Sequence, residues 1–442
     1  MAGTTLASAL QPVSARPNII FCMSDDQGYG QVAYNRIDSK YLTPVLDDMA
    51  SKGLRLDRYY AASPVCSPTR ASIITGGHPY RVKVCHASFP LQFCRTTLPQ
   101  MMQQNGYRVG HFGKWHLMGR ERLDYIIPAG HPLSPGSMGF DTWVSAVNFF
   151  DCSEPGPFLS KMGTPVELKG DTSDAVMAEA IQFMKTSTEE GHPFIAFVWF
   201  ASPHDPYKPL PEYQRLANGN KIAGEVCGVD HSMGTLRNAL KAMGVSDNTL
   251  LWFMSDNGAP PNRGDNGFLD GGKNGLKEGG LRVPSIIEWP SVIKEPGVCT
   301  VPIVSTDLYA TLADLVGGKM PEWGGTHDGM SVLPIIKGEL TSRPQPIAFW
   351  HDKESFGKNY NDGVDETRET NERALVDNRY KIYCKGAGAY ELYDVVDDPG
   401  EKNNIAGAFP EITEKMVQKL EAWQASVRIG LDANKLLIRT EK

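Results

Sequence analysis

Little in this chain suits a membrane, a zinc ribbon or a polyanion-binding surface. No apolar run approaches the ~20 residues that cross a bilayer as a helix, so no integral membrane segment is expected. The eight cysteines, at 22, 66, 85, 94, 152, 227, 299 and 384, are scattered and form no Cys-x-x-Cys pair. That spacing excludes a zinc ribbon and a dense disulfide scaffold, leaving Cys85 and Cys94 as the best-placed pair for a bridge. Positive charge is in deficit, with 44 Lys and Arg against 51 Asp and Glu and a formal net charge of −7. A general nucleic-acid partner is thereby excluded, and any recognition of anions must be local. There is no Asn-x-Ser/Thr acceptor, which is unusual for a long glycoprotein of the animal secretory route. The expectation is a bacterial protein of the periplasm, or a secreted one. Residues 1–16 read as an N-terminal extension or the remnant of a signal peptide, since 4–10 lacks a basic leader.

What is present is globular. A chain of 442 residues can bury a substantial core, as one large domain with a smaller companion or as about three average ones. Short apolar runs at 17–24, 194–200 and 249–255 read as strands buried on both faces. Each breaks into polar residues: Asp25-Asp26, Ser202-Pro203-His204 and Asp256-Asn257-Gly258. Helical periodicity occupies 44–52, 97–105, 173–186 and 222–243. Strands alternating with helices predict an α/β fold, a large mixed, mostly parallel sheet flanked by helices. In such sheets ligands bind beyond the carboxyl ends of the strands, which is where the polar residues fall. Past residue 340 the texture changes to a charged, aromatic stretch at 351–373, short strand-like pieces at 373–376, 380–384 and 390–393, and a closing helix from 410 to about 427. The chain therefore divides into a main domain at 17–340 and a C-terminal α+β subdomain at 341–442, with an antiparallel sheet and the closing helix.

The most informative segment is Cys66-Ser67-Pro68-Thr69-Arg70. Pro68 suits the first turn of a helix that Ala71 to Ile74 continue, so Cys66 stands at its positive N-terminal end, a place for an anion. The pairs Asp25-Asp26 and Asp256-Asn257 offer hard oxygen ligands, which favours Ca²⁺ or Mg²⁺ over zinc. In Gly113-Lys114-Trp115-His116 the two basic residues alternate, and on an extended segment they share a face. His204 is fixed between prolines at a strand end, and the loop 271–284 is glycine-rich enough to bring backbone against a ligand. Taken singly, each has an ordinary reading as a cap, a solvated lysine, a core histidine or a surface loop.

Together and in this order, these segments resemble the formylglycine-dependent (type I) sulfatases of the alkaline phosphatase superfamily. The resemblance runs from 17 to about 338, and Glu391-Leu392-Tyr393-Asp394, Asp397-Asp398-Pro399 and Glu401-Lys402-Asn403 are similar to the family's C-terminal region. It implies an alkaline-phosphatase-like fold and a sulfuric-ester hydrolase that removes sulfate from a sulfated carbohydrate. Cys66 would be oxidised by a maturation enzyme to formylglycine, whose hydrate offers one hydroxyl to attack sulfur, forming a covalent sulfate, and another to eject it. Asp25, Asp26, Asp256 and Asn257, with the converted Cys66, would hold Ca²⁺, Mg²⁺ being the lesser choice. Arg70 and Lys114 would stabilise the ionised diol, Lys273 and His204 would hold the sulfate and assist the departing alcohol, and His116 would take the proton from the second hydroxyl.

Two positions depart from the family. Its frequent Leu-Thr-Gly-Arg is here Ile74-Thr75-Gly76-Gly77, which touches the signal for cysteine conversion, and Gln31 stands where an Asp is frequent. Alternative readings are a phosphonate monoester or phosphodiester hydrolase of the same superfamily, and a non-catalytic carbohydrate-binding homologue with a bare thiol. Substrate choice is expected to reside in 81–95, 118–151, 262–270 and 351–372. Trp115, Trp143 and Trp350 are candidates either for stacking on sugar rings or for packing.

Overall fold

The computed structural model describes residues 16–439, apart from 37–39, 87–88, 92–95, 120, 123, 154–158, 321–326 and 353–370. The strands are β1 Asn18–Ser24, β2 Leu54–Leu56, β3 Tyr59–Tyr60, β4 Arg108–Lys114, β5 Thr142–Ala146, β6 Leu159–Lys161, β7 Thr164–Val166 and β8 Phe194–Trp199. They continue as β9 Thr249–Ser255, β10 Ser285–Glu288, β11 Gly297–Cys299, β12 Ile303–Val304, β13 Ile347–Asp352, β14 Asn371–Asp377, β15 Tyr380–Lys385 and β16 Glu391–Asp394. The helices are α1 Pro44–Lys52, α2 Cys66–Thr75, α3 Leu98–Gln104, α4 Thr172–Glu189, α5 Pro211–Leu216, α6 Lys221–Ala242, α7 Glu278–Leu281, α8 Asp307–Val316, α9 Leu333–Ile336 and α10 Pro410–Arg439.

Ten strands form one sheet in the order β11-β2-β10-β9-β1-β8-β4-β5-β6-β7. Its centre, from β9 through β1, β8 and β4 to β5, is parallel throughout, and β10, β6 and β7 add antiparallel pairings. The apolar runs explain the centre. Because successive side chains alternate across a strand, Ile19, Phe21 and Met23 of β1 pack on one side with Ala71 and Ile73 of α2, Met101 and Met102 of α3 and Leu308 and Leu312 of α8. Ile20 and Cys22 face the other side, with Met49 of α1, Val176 and Phe183 of α4 and Met233 and Leu236 of α6. A strand apolar at every position is what a sheet covered on both faces requires.

The C-terminal part is a four-stranded antiparallel sheet, β13-β14-β15-β16, against which α10 lays Met416 and Leu420. Its first strand, β13, adds to the three pieces read from the sequence. Most of the charged stretch at 351–373 lies outside the described residues, as do 1–15 of the N-terminal extension and Cys94. Cys85 is a buried free thiol, so the expected bridge has no described form. Among the described residues no helix is long and apolar enough to cross a membrane.

Candidate active site

The polar ends of the central strands meet. Ser24 of β1 is in register with Ser255 of β9, and Asp256 N–H continues the ladder to the Ser24 carbonyl at 3.1 Å, while Asp25 N–H reaches the Ser202 carbonyl at 3.0 Å. Beyond this point the chain at Asp26 turns into the left-handed region, with φ of 64°. That turn lets the Asp26 N–H donate to Asp256 Oδ1 at 3.1 Å and its carboxylate accept from Asn257 Nδ2 at 2.7 Å.

Helix α2 aims its N-terminus at this group. Cys66 is its first residue, Val65 supplies no side-chain cap, and Gly76 closes it in the left-handed conformation with φ of 67°. One turn on, the fully buried Arg70 donates to Asp256 Oδ2 at 2.6 Å, lies 3.5 Å from Asp25 Oδ2 and donates its other amino group to the Lys114 carbonyl at 2.9 Å. Its guanidinium rests over Trp199, 5.1 Å from the ring centre. Lys114, at the end of β4, pairs with Asp25. Ligand atoms of Asp25, Asp26 and Cys66 lie within 4.8 Å of one another. Two acceptors in this group, Asp25 Oδ1 and Asn257 Oδ1, are buried with no partner among the described residues. Leaving such oxygens bare costs on the order of 1–3 kcal/mol each, and a hard divalent cation is the species their chemistry fits.

Electrostatics sort the titratable groups. Burial alone would raise Asp25, but Lys114, His204, Arg70 and Lys273 hold its carboxyl well below the usual carboxylate range. Asp256 is displaced upward, by burial and then by Asp25. Burial pushes the Cys66 thiol up to about 11, Lys114 and Lys273 pulling against it and Asp25 and Asp256 adding to it. His116 is driven well below 6.5 by burial, Lys114 and Arg70, so it is neutral at physiological pH, and its Nδ1 has no partner among the described residues.

The placement of His116 corrects the sequence expectation. The extended segment stops at Lys114, and His116 takes φ of 56°, so alternation along a strand does not orient it. Gly113 begins the change of direction with φ of 107°, where a Cβ would sit 2.0 Å from the Trp199 carbonyl oxygen. The turn is pinned by Ser67, whose hydroxyl donates to the His116 carbonyl at 2.6 Å, and by the His116 N–H bonded to Val147 at 2.9 Å.

Lys273 and His204 reach the same carboxylate, Lys273 Nζ at 2.6 Å and His204 Nε2 at 3.7 Å from Asp26 Oδ2. His204 Nδ1 is 2.6 Å from the Asp205 carbonyl, which can only accept, so that nitrogen carries the hydrogen. All the site residues named from the sequence therefore belong to one cluster. Sequence reasoning missed the groups that hold it. Glu225 spans the loop bearing His204: Ser202 Oγ donates to one oxygen at 2.5 Å and Lys208 N–H to the other at 2.6 Å. A signal was present, because Glu225 interrupts the apolar stripe of α6 one turn before Val229. Gln31 likewise holds the Gly28 N–H at 2.7 Å, a scaffold contact.

The tryptophans are interior. Trp115, Trp143 and Trp350 are 0%, 1% and 3% exposed, which leaves no face for a sugar and selects the packing reading. A cavity of about 680 Å³, lined by Asp48, Arg237 and Trp289, lies at the Thr249 end of β9, opposite the end that carries Asp256, and there Arg237 is already held by Asp48 and Glu288.

The family model described as sulfatase matches residues 17–318, and that for the C-terminal part of N-sulphoglucosamine sulphohydrolase matches 264–426. N-acetylgalactosamine-6-sulfatase of Mus musculus is 30% identical over 77% of this chain and 70% of its own length. Arylsulfatase A of Homo sapiens is 29% identical over 95% of this chain and 89% of its own. The crystal structure of Ps i-CgsB in complex with k-i-k-neocarrahexaose superposes with a TM-score of 0.80 at 26% identity, covering 93% of each chain. With the motifs in one cluster and the family model spanning most of the chain, this protein belongs to the sulfatase family, a sulfuric-ester hydrolase of alkaline-phosphatase fold.

Proposed function

We propose that this sulfatase removes sulfate from a sulfated carbohydrate, a polysaccharide or oligosaccharide, with Cys66 in its formylglycine form and a bound calcium ion, magnesium being the lesser choice. One observation carries the reading: Cys66 stands among buried cations beside acceptor oxygens that no described residue satisfies. A carbohydrate substrate draws support from the names of the relatives, an N-acetylgalactosamine-6-sulfatase and a structure holding a neocarrahexaose.

Asp25, Asp26, Asp256 and Asn257 would hold the cation, which when bound supplies Lewis-acid polarisation of a sulfate oxygen. The hydrated aldehyde at 66 would supply two hydroxyls, one to attack sulfur and one to surrender its proton as sulfate leaves. A bare thiol is a poor substitute, since at about 11 it stays protonated near neutral pH. Sulfate esters resist attack because their oxygens repel the nucleophile. Arg70 and Lys114, fixed on Asp256 and Asp25, offset that repulsion with charge already in place. Lys273 and His204 hold the ester sulfate, and the His204 Nε2, when protonated, delivers hydrogen to the departing alcohol. His116, kept neutral, accepts the proton at Nδ1.

The proposed place of action is the bacterial periplasm or the medium, and the second partner is the maturation enzyme that oxidises Cys66. Hydrolysis of nitrophenyl sulfate against a nitrophenyl phosphonate tests the reaction: faster turnover of the sulfate is expected, and a large preference for the phosphonate would sink the assignment. The mass of the tryptic peptide 59–70 reports whether the aldehyde forms. A panel of defined algal and glycosaminoglycan oligosaccharides then identifies the sugar.

A further inference from the structure

The loop that carries Lys273 is held from the C-terminal sheet at three consecutive residues. The Leu276 N–H donates to Glu372 of β14 at 2.6 Å. Lys277 Nζ donates to the hydroxyl of Tyr393 in β16 at 2.7 Å, and its charge sits 4.0 Å from that ring's centre. The Glu278 N–H donates to Glu401, in the turn after β16, at 2.6 Å. Below them Lys381 of β15, wholly buried, lies 3.0 Å from both Glu278 and Glu401. On the other side the Asn274 N–H bonds the Pro64 carbonyl at 3.0 Å, two residues ahead of Cys66, and the Lys273 N–H bonds the Ala259 carbonyl at 3.1 Å. The chain just after the loop packs closely on the end of β9: a Cβ at Gly258 would lie 1.8 Å from the Gly279 carbonyl.

From this we infer that Glu401, with Glu372 and Lys381, is a positioning residue for Lys273, and that the C-terminal sheet acts on the sulfate site through the 273–278 loop. A charged side chain buried between two carboxylates tolerates little displacement, because moving any member leaves an uncompensated charge out of water. The order of the loop is thereby transmitted to a lysine whose ammonium must meet one face of a small anion. A misplacement of about 1 Å at such a group costs up to about 100-fold. The assignment uses Glu401-Lys402-Asn403, a segment that the reaction itself leaves without a role.

The inference rests on the reading of Lys273 as a sulfate-holding group, and the test separates the two. Affinity for inorganic sulfate and kcat/KM for nitrophenyl sulfate are measured on the calcium-loaded enzyme, on Glu401→Ala, on Lys273→Ala and on the double variant, with melting temperature as a control. Glu401→Ala is expected to weaken sulfate and lower kcat/KM by about 10- to 100-fold. Lys273→Ala is expected to weaken sulfate at least as much, and the double variant to be no worse than Lys273→Ala alone, since a residue that acts through Lys273 has nothing left to act on. Losses that simply add, or unchanged sulfate affinity in Glu401→Ala, would overturn the inference while leaving the reading of Lys273 intact. Unchanged sulfate affinity in Lys273→Ala removes both. If Glu401→Ala does not fold, Glu372→Ala enters the same comparison with the same expected outcomes.

Discussion

Replacing Glu225 with glutamine should make the protein more stable at alkaline pH and leave it nearly unchanged near pH 4. Burial raises the Glu225 carboxyl from its ordinary 4.5 to about 7, with Asp171 and Asp151 adding in the same direction and the hydrogen bonds from Ser202 and Lys208 opposing. The Lys208 ammonium lies 3.6 Å from Asp151. A raised carboxyl binds its proton more tightly in the folded chain, so its contribution to stability is present below about 4.5 and is lost as pH rises through about 7. At about 1.4 kcal/mol per tenfold, the ionised carboxylate costs the folded state about 3 kcal/mol by pH 8. Glutamine keeps the strap, its carbonyl accepting from the Lys208 N–H and its amide meeting Ser202 Oγ, but has no charge to bury. For 442 residues an unfolding entropy of about 2 cal/mol/K per residue turns 1 kcal/mol into about 1 °C. The variant should therefore gain about 3 °C in melting temperature over the parent at pH 8, about 1 °C at pH 5.5 and almost none at pH 4. Calorimetric scans of both proteins in calcium-containing buffer across that range provide the test. Asp230, also raised by burial to about 6, cancels in the difference. Two melting curves that run parallel across the pH range would show that this carboxyl is not the titrating group.

Three further outcomes follow from the site. Cys66→Ala should abolish turnover by at least about 10³-fold, as loss of a nucleophile does, with the melting temperature nearly unchanged. Retained activity in Cys66→Ala would refute the mechanism. Chelation by EDTA should remove activity and calcium should restore it, whereas full activity after verified metal removal counts against the oxygen-ligand assignment. Ser67→Ala removes the hydroxyl that pins the His116 carbonyl and should lower kcat by about 10-fold with little change in KM, as a loosened base would. A change confined to KM would place Ser67 elsewhere in the cycle.

The parts of this fold legible in the sequence are those where one residue type repeats for a single physical reason. β1, β8 and β9 are apolar at nearly every position because both faces of the sheet are covered, and α1 begins at Pro44, which cannot sit deeper in a helix. Edge strands such as β2 and β11 have three residues each, too few to display a period. β13 escaped notice because it runs into Trp350, His351 and Asp352, whose polarity reads as loop although all are buried in the structure. The candidate site residues stand out in the sequence by their chemistry at strand ends, but the course of the chain between them does not. Position 113 takes glycine because a Cβ there would meet the Trp199 carbonyl, a contact between segments far apart in sequence, and His116 adopts a positive φ beyond the strand end. The acids that hold the Lys273 loop come from as far as 123 residues away, so no local pattern could have paired Glu278 with Glu401.

The ion pairs around Arg70 and Lys114 also bear on how a cation and an anion would be coupled at the site. Asp25, Asp26 and Asp256 in ionised form are matched one for one by Arg70, Lys114 and Lys273, so the protein alone presents an electroneutral centre. Such a centre has little Coulombic pull on a sulfate monoester. A divalent cation brings the centre to +2, and only then does an anionic ester meet an attractive field. Cation and sulfate would then bind as positive cooperators, each raising the affinity for the other by the same factor. With a cation bound as proposed, the carboxylates that cancel Arg70, Lys114 and Lys273 would turn a neutral centre into one that attracts an anion.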